Sequence, residues 1–453
     1  MIQLRQSFFQ NVGKEETGKL IELAEPYFVA RKRKHHRCWR KLDINEQMQA
    51  IKSGNTMVPF EYYIVNMAKG YLAGKPPVYT FTKGQDAFEQ AVTNIKRHND
   101  DATMFAKMIQ DFIITSAAYM YVIENENNQI EYKRIDPLNS VVVYNYDIEP
   151  KPIAVVRILE IEEETRIEVV TAERRVMRDK EGKSVKFIDF TADGKEQEVY
   201  EKELFWADVS VVAFEHPQAI AIFEPAENLI DMFENMLTNK RSMTQYNDEA
   251  KLVIKGHQTI NPPEIMDEND NVRINPKWQE EISRLYQAQA LHFPTEGGAE
   301  WLIKNVDYAG MISTLADIKD LIFTVTSVPN MADRNFANNV SGIAMKYKMF
   351  ALDQYVTELD RIFKKGYRRL WNIVTNRLNQ RGSAFDILDL EVGFAKNAPQ
   401  SSAESSSEAV NLFRNGVISQ YSAIVHAEVG LDPAEEMERI SAEAGTLQDE
   451  TSS

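Results

Sequence analysis

Few side chains in this sequence are spaced for chemistry, and each cluster lacks a part that its reaction needs. The stretch GKEETGKL, Gly13 to Leu20, nearly matches the phosphate-binding pattern GxxxxGK[ST]. Leu20 stands where the magnesium-binding hydroxyl belongs, however, and no apolar strand precedes it. The paired histidines, His35 and His36, are adjacent in sequence, whereas a zinc pair on one helix face is spaced by about four residues. Glu131 and Lys133, in the strand-like EYK, are residue types that metal-dependent nucleases use, but those enzymes also cluster several carboxylates. In a chain with 68 acidic residues such proximity arises by chance, and a solvated strand face is the plainer reading. No GxSxG occurs, and the only cysteine, Cys38, sits in a basic run without an evident partner. The sequence therefore predicts no catalytic residue, no metal site and no cofactor.

The elements that would position any site belong to an ordinary folded protein. The chain has 453 residues, 43% hydrophobic, 10% aromatic and 26% charged, enough for several domains and a sizeable core. One cysteine permits no intramolecular disulfide, which suits a reducing cytoplasm. MIQLRQSFFQNVGKEE has no apolar core of signal-peptide length, and no apolar run approaches the roughly 20 residues that cross a bilayer. A soluble chain, not exported by that route and with no membrane partner, is expected. The net charge of −16 has the wrong sign for a protein built to grip phosphates.

Helical spacing marks Lys14 to about Leu42, including the basic run RKRKHHRCWRK, Arg31 to Lys41, whose plainest reading is a solvated basic face and whose alternative is a nucleic-acid or partner contact. Further helices are predicted over Phe60–Leu72, ended by GKPP, and over Asp100–Thr115. The period then changes. Two strands around Asn127 and Asn128 are followed by SVVVYNY, IAVVRILEI, RIEVVTA, SVKFIDF and VSVVAFE, an antiparallel β-rich middle ending near His216. Pro225 opens a helix that is apolar at first and polar later, as when a helix leaves a core. Between Leu252 and Asn305 lie LVIKG, the turn NPPE, the amphipathic PKWQEEISRLYQA, and ALHFP and AEWLIK as short strands. This is too little to make a large core alone.

A helix from about Gly310 to Val325 stops at Val328-Pro329, and a second pattern holds register from Ser341 to Leu378, about 57 Å at 1.5 Å per residue, with Gly366 as a candidate kink. Between them lies NMADRNFANNVSG, Asn330 to Gly342, polar and turn-rich around one phenylalanine. Taken alone, it reads as a plain helix-to-helix turn. Beyond Gly382 come a strand-like DLEVGF, a serine-rich linker APQSSAESSSEA, a short helix around Val410 to Phe413, and an acidic end expected to be unstructured.

The order of these parts resembles the portal proteins of tailed double-stranded-DNA bacteriophages, in the branch common among phages with long non-contractile tails. Three stretches carry the resemblance over nearly the whole chain. VNMAKGYLAGKPPVYTF, Val65 to Phe81, is like that branch's apolar helix with a Gly-Lys-Pro stop and a strand. PAENLIDMFENMLTNKRSMTQYNDEAKLVIKG is like its descending stem helix, and IKDLIFTVTSVPNMADRNFANNVSGIAMKYKMFALD is like its helix, turn, loop and helix start. The basic run has no counterpart, and the short tail after the long helix implies a small crown.

The resemblance implies an α+β portal fold of wing, stem, clip and crown, with long helices around a central channel in a ring of usually twelve copies. Its segments would be an N-terminal segment 1–25, a wing 26–224, a stem helix 225–255, a clip 256–309, a second stem helix 310–328, a tunnel loop 329–341, a long wing helix 342–381, and a crown and tail 382–453. The implied partners are further copies of the chain, double-stranded DNA in the channel, the terminase large subunit, scaffold and major capsid proteins, and the head-completion adaptor and tail. The implied location is one capsid vertex of the virion, with host cytoplasm during assembly. Asn330, Asp333, Arg334, Asn335, Phe336, Asn338 and Asn339 would face DNA, and Lys346 and Lys348, near the start of the long helix, read equally as weak phosphate contacts in the channel or as solvated side chains. Lys277 and Trp278 would meet a clip partner, although Trp278 reads equally well as core.

Elementary electrostatics agrees with a passing duplex. Each neutralised phosphate adds salt-dependent affinity, so a loop that must let DNA slide should carry little net charge. Here Arg334 is offset by Asp333, and the amides and Phe336 bring contact without grip. The readings to be weighed against a portal are another oligomeric phage-head or scaffold-type protein without a channel, and a metal-dependent nuclease at Glu131 and Lys133.

Overall fold

The computed structural model describes residues 1–125, 127–161, 163–190, 196–204, 206–248, 251–255, 262–266, 272–287, 298–302, 307–331, 342–397, 402–427, 436–437 and 439–440. These fall into two units, one of Met1–Gln47, Val58–Ile230 and Asp320–Ser453, the other of Met48–Met57 and Asp231–Lys319.

From the N-terminus the elements are β1 (Ile2–Gln3), α1 (Lys14–Trp39), α2 (Ile44–Ser53), α3 (Phe60–Ala73), β2 (Pro77–Phe81), α4 (Asp86–Asn99) and α5 (Asp101–Thr115). The β-rich middle follows as β3 (Ala117–Glu124), β4 (Ile130–Ile135), β5 (Ser140–Tyr144), β6 (Pro152–Ile161), β7 (Glu164–Val170) and β8 (Arg174–Asp179). It closes with β9 (Phe187–Phe190), β10 (Glu196–Val199), β11 (Glu201–Glu203) and β12 (Val211–Glu215). Then come α6 (Glu227–Asp248), β13 (Lys251–Lys255), β14 (Glu264–Met266), β15 (Val272–Ile274), α7 (Pro276–Gln287), β16 (Gly298–Leu302) and α8 (Tyr308–Val325). Last are α9 (Gly342–Gln380), β17 (Leu390–Phe394), α10 (Ser402–Arg414) and α11 (Gln420–Ala427).

The largest sheet runs β1-β5-β6-β7-β8-β11, with β1 parallel to β5 and the other pairs antiparallel. Alternation explains why both of its faces are covered. Val141 and Val143 of β5 point into one core with Ile2, Leu4, Phe9, Leu20 and Ala24. Val142 and Tyr144 point the other way, against Ala117, Tyr119, Val209 and Val211. The first residues are thus structural: they supply an edge strand and then α1, which runs without a break across residues 25 and 26. A second sheet, β12-β3-β4, and the pair β2-β17 complete the packing around the long helix.

That helix, α9, spans 39 residues, and Leu352, Val356, Leu359, Phe363, Tyr367, Leu370, Trp371 and Val374 on its inner face are fully buried. Phe363 stacks on Phe214 at 4.5 Å, and Phe105 of α5 stacks on Phe394 at 4.8 Å. Burying each such ring contributes about 1.5–3 kcal/mol. Gly366, the candidate kink, leaves room for an aromatic ring: a Cβ there would lie 2.1 Å from Cε1 of Phe214.

Three further expectations change. The basic run is a solvated face only in part: Lys32, Arg33 and His36 are exposed, but Arg31, Lys34 and Lys41 are buried among carboxylates and carbonyls. Residues 402–409 of the serine-rich linker form the first half of α10, so helix hydrogen bonds there prevail over the weak propensity of serine. Helices α2 and α4 were not anticipated from the pattern. The strand expected in ALHFP and the character expected for the last ten residues fall outside the described residues.

The other unit has two small ribbons. β13 pairs antiparallel with β16, and β14 with β15. Asn275 caps α7, its side-chain oxygen accepting from Lys277 N at 3.1 Å while its amide donates to Pro262 O at 2.9 Å. Thr238 of α6 accepts from Thr56 N at 2.9 Å, tying the 48–57 stretch to that helix. Among its described residues Ile265, Met266, Val272 and Ile274 are all exposed.

Candidate functional site

The chain at the end of α8 and the part of α9 three turns beyond its start are both held by one helix, α3. Ile64, Val65, Ala68 and Leu72 bury its inner face, which leaves two tyrosines at its margins. Phe323 of α8 meets Phe60 at 5.9 Å and Tyr63 at 5.6 Å, both edge-on. α8 then ends: the Thr326 hydroxyl donates back to Ile322 O at 2.8 Å and Ser327 adopts the left-handed conformation, φ 59°. Val328 is buried, and the Tyr63 hydroxyl donates to Pro329 O at 3.4 Å while accepting from Met331 N at 3.0 Å. One phenol thus fastens the chain on both sides of Asn330.

The return side is fastened two turns further along α3. The Tyr71 hydroxyl donates to Oδ1 of Asp353 on α9 at 3.2 Å, and Lys396 reaches the same oxygen at 2.6 Å and Thr357 at 3.0 Å. Burial, and then the Asp353 charge, push the Tyr71 phenol up to about 12, so it remains a donor at neutral pH. The sequence patterns pointed to α3 and α8 separately; what joins them is a hydroxyl at the edge of an apolar face. A tyrosine rather than a phenylalanine at Tyr63 was the only signal available.

A second arrangement answers what the basic run does. Arg33 pairs with Glu227 at 2.8 Å and with Glu224 at 3.0 Å, and Lys34 pairs with Glu224 at 2.8 Å. Arg37 and Lys41 meet the fully buried Glu61 at 3.1 and 2.9 Å. Arg31 donates to Tyr119 Oη at 2.7 Å and to Ser140 O at 2.8 Å. Helical spacing puts these cations in line, and the carboxylates come from α3 and from the turn that starts α6. The run is therefore an internal brace. Cys38 beside it is buried, its thiol pushed up to about 12 by burial and then by Glu61, so it is no nucleophile.

The other sequence-predicted residues fall as follows. Asn330 is described and Asp333, Arg334, Asn335, Phe336, Asn338 and Asn339 lie outside the described residues. Lys346 and Lys348 sit in the first turns of α9, Lys348 half-buried. Lys277 is exposed and Trp278 half-buried on the first turn of α7. Glu131 and Lys133 neutralise one another at 2.7 Å, and hydrogen bonds from Lys133, Asn125 and His98 hold the Glu131 carboxyl below its usual range. Gly13 to Leu20 starts α1 rather than looping around a phosphate. Among the described residues no cluster of three or more histidines, cysteines or carboxylates could hold a metal ion, and no helix is long and apolar enough to cross a membrane.

Compared with known proteins, residues 42–450 match the family model described as phage portal protein, SPP1 Gp6-like. No curated protein matches the chain. Similar solved structures include the neck of an empty gene transfer agent particle, at 11% identity and a TM-score of 0.44, covering 85% of this chain and 94% of that one. The virion of a native gene transfer agent particle is similar at 12% identity and a TM-score of 0.42, with 85% and 93% covered.

Proposed function

The chain belongs to the SPP1 Gp6-like phage portal protein family, and from that premise we propose that its copies close into a ring whose channel passes double-stranded DNA at one capsid vertex. The terminase motor packages through this channel and the genome later leaves by it. Head-completion and tail proteins dock on the same ring, scaffold and major capsid proteins surround it, and the chain itself hydrolyses nothing. Residues 225–255 and 310–328 form the stem in this reading, 256–309 the clip with Lys277 and Trp278 toward a partner, and 382–453 the crown. Residues 1–25 join the wing, because Ile2, Leu4 and Phe9 share its core.

One observation supports this reading best: the chain on each side of residues 332–341 is bound to α3, through Tyr63 before it and Tyr71 after it. A fixed base lets a short polar loop press on a moving duplex without being carried along. Its one arginine is matched by one aspartate, so contact adds little phosphate affinity, and the −16 charge keeps DNA from adhering to the walls. Lys346 and Lys348 add weak phosphate contacts near the loop's return.

The test is deletion of Ala332 to Ala337, compared with Arg334→Ala and Phe336→Ala, in a packaging-competent particle. Rings should form normally while packaged DNA falls, most for the deletion. Normal packaging by the deletion removes the loop from the mechanism, and wild-type protein that forms no ring under any condition removes the channel.

A further inference from the structure

The outer face of α9 has an unusual composition for a surface of so acidic a chain. Tyr347 and Phe350, at 78% and 59% exposure, fall on the same helix face as Arg361, Lys365 and Arg368, with Lys364 at its margin and Glu358 as the one carboxylate among them. All four cations are exposed. Lys364 meets Asp360 at 3.0 Å, but among the described residues Arg361, Lys365 and Arg368 have no carboxylate within ion-pair distance. Several arginines elsewhere are taken up by carboxylates, Arg33 by Glu224 and Glu227, Arg369 by Asp208, and Arg377 and Arg381 by Glu124, while Arg5, Arg97, Arg241, Arg284 and Arg414 are exposed singly rather than in a stripe.

Beside this stripe lies a cavity of about 330 Å³ whose lining includes Lys364, Arg368, Glu391, Trp371, Leu388 and Leu390. Trp371 is fully buried and its indole N–H has no hydrogen-bond partner among the described residues, while Leu388 on the rim is 71% exposed. Two cations against the single carboxylate of Glu391, with a spare donor and apolar walls, leave room for one further carboxylate side chain next to an apolar one, which is protein chemistry. Exposed aromatics with arginine are the composition of interface cores, whereas a duplex would call for cations alone.

We propose that this face of α9 receives the acidic surface of the neighbouring copy of the same chain. The proposal rests on the ring reading. Copies that each carry −16 repel one another, so a ring of them needs cations where they meet. A heterologous ring joins two different patches of each copy, and a basic face on a net acidic molecule supplies one half of such a pair.

The experiment compares full-length wild type with the triple variants Arg361→Glu/Lys365→Glu/Arg368→Glu and Arg361→Gln/Lys365→Gln/Arg368→Gln, by light scattering and negative-stain imaging across concentration and salt. The expected result is that wild-type rings weaken as salt rises. The Glu variant should need at least about 100-fold more protein to assemble, as like charges are forced together, and salt should partly restore it. The Gln variant should fall between, which decides the matter if the Glu variant misfolds. Wild-type rings matched by equal rings of both variants overturn this interface while leaving the channel reading intact. No wild-type rings at all overturns the channel reading and this inference with it. Capture of a duplex DNA probe by dispersed wild type, lost in the Gln variant while rings persist, reassigns the face to nucleic acid.

Discussion

Among the described residues, the unit of Met1–Gln47, Val58–Ile230 and Asp320–Ser453 closes its own chemistry, whereas in the unit of Met48–Met57 and Asp231–Lys319 only Ala50, Leu315 and Ile318 are buried apolar residues. The first unit stacks Phe363 on Phe214 and pairs Lys41 with Glu61 at full burial. In the second, three-residue strands leave Met266 and Val272 exposed at 72% and 60%, directly opposite each other across the ribbon. Two strands of that length have no independent stability in water. Among the described residues the contrast is between a part that packs on itself and a part that leaves apolar side chains in water, which is what the ring proposed above would make use of.

The sharpest way to break the comparison is to damage the first unit where it is most closed. Lys41→Met leaves Glu61 buried with Arg37 as its remaining partner, so urea unfolding should show a loss near the lower end of the cost of breaking a buried pair, about 3 kcal/mol. Adding Glu61→Gln should recover part of that loss, and an unchanged midpoint for Lys41→Met would deny the brace any part in stability.

Gly366→Ala comes next. Overpacking against Phe214 costs about 1–3 kcal/mol, and better helix propensity returns up to about 1 kcal/mol, so a net loss is expected in thermal unfolding. Phe214→Leu in the same chain should reduce that loss. A stabilised Gly366→Ala would mean that the ring can move aside.

In the second unit, Val272→Ser should change the unfolding of dispersed chains by less than about 0.5 kcal/mol, since the side chain already faces water. The same substitution should weaken ring formation, read as a higher concentration for half-assembly. A large stability loss in the dispersed chain would place Val272 in a core of its own subunit and erase the contrast.

Much of the architecture was legible because periodicity reports burial. The expected run Ser341 to Leu378 lies within two residues of α9, and VSVVAFE contains β12. The long helix could be read because its apolar residues recur every three or four positions over ten turns. α4 was missed because few apolar positions suffice for it: Phe88 and Val92 alone are buried. The basic run misled for a physical reason, since charge runs are solvated unless carboxylates from distant segments arrive, and Glu61, Glu224 and Glu227 are between 20 and 194 positions away from their partners. Of the candidate site, the loop's composition was open to reading, but not the tyrosines that hold its base.

By itself the sequence determined the composition of a folded protein, the acidic balance, the alternation of strand-rich and helical stretches, and the order of parts that marks the family. These are local or summed properties, each fixed by residue type and spacing along the chain. Only the tertiary structure decided that Gly366 makes room for Phe214, that the cations of α1 brace the start of α6, and that Tyr63 and Tyr71 of one helix fasten both flanks of the loop. Those outcomes depend on which surfaces meet, because an ion pair or a hydroxyl contact acts over a few ångströms of space and leaves no periodic trace along the chain.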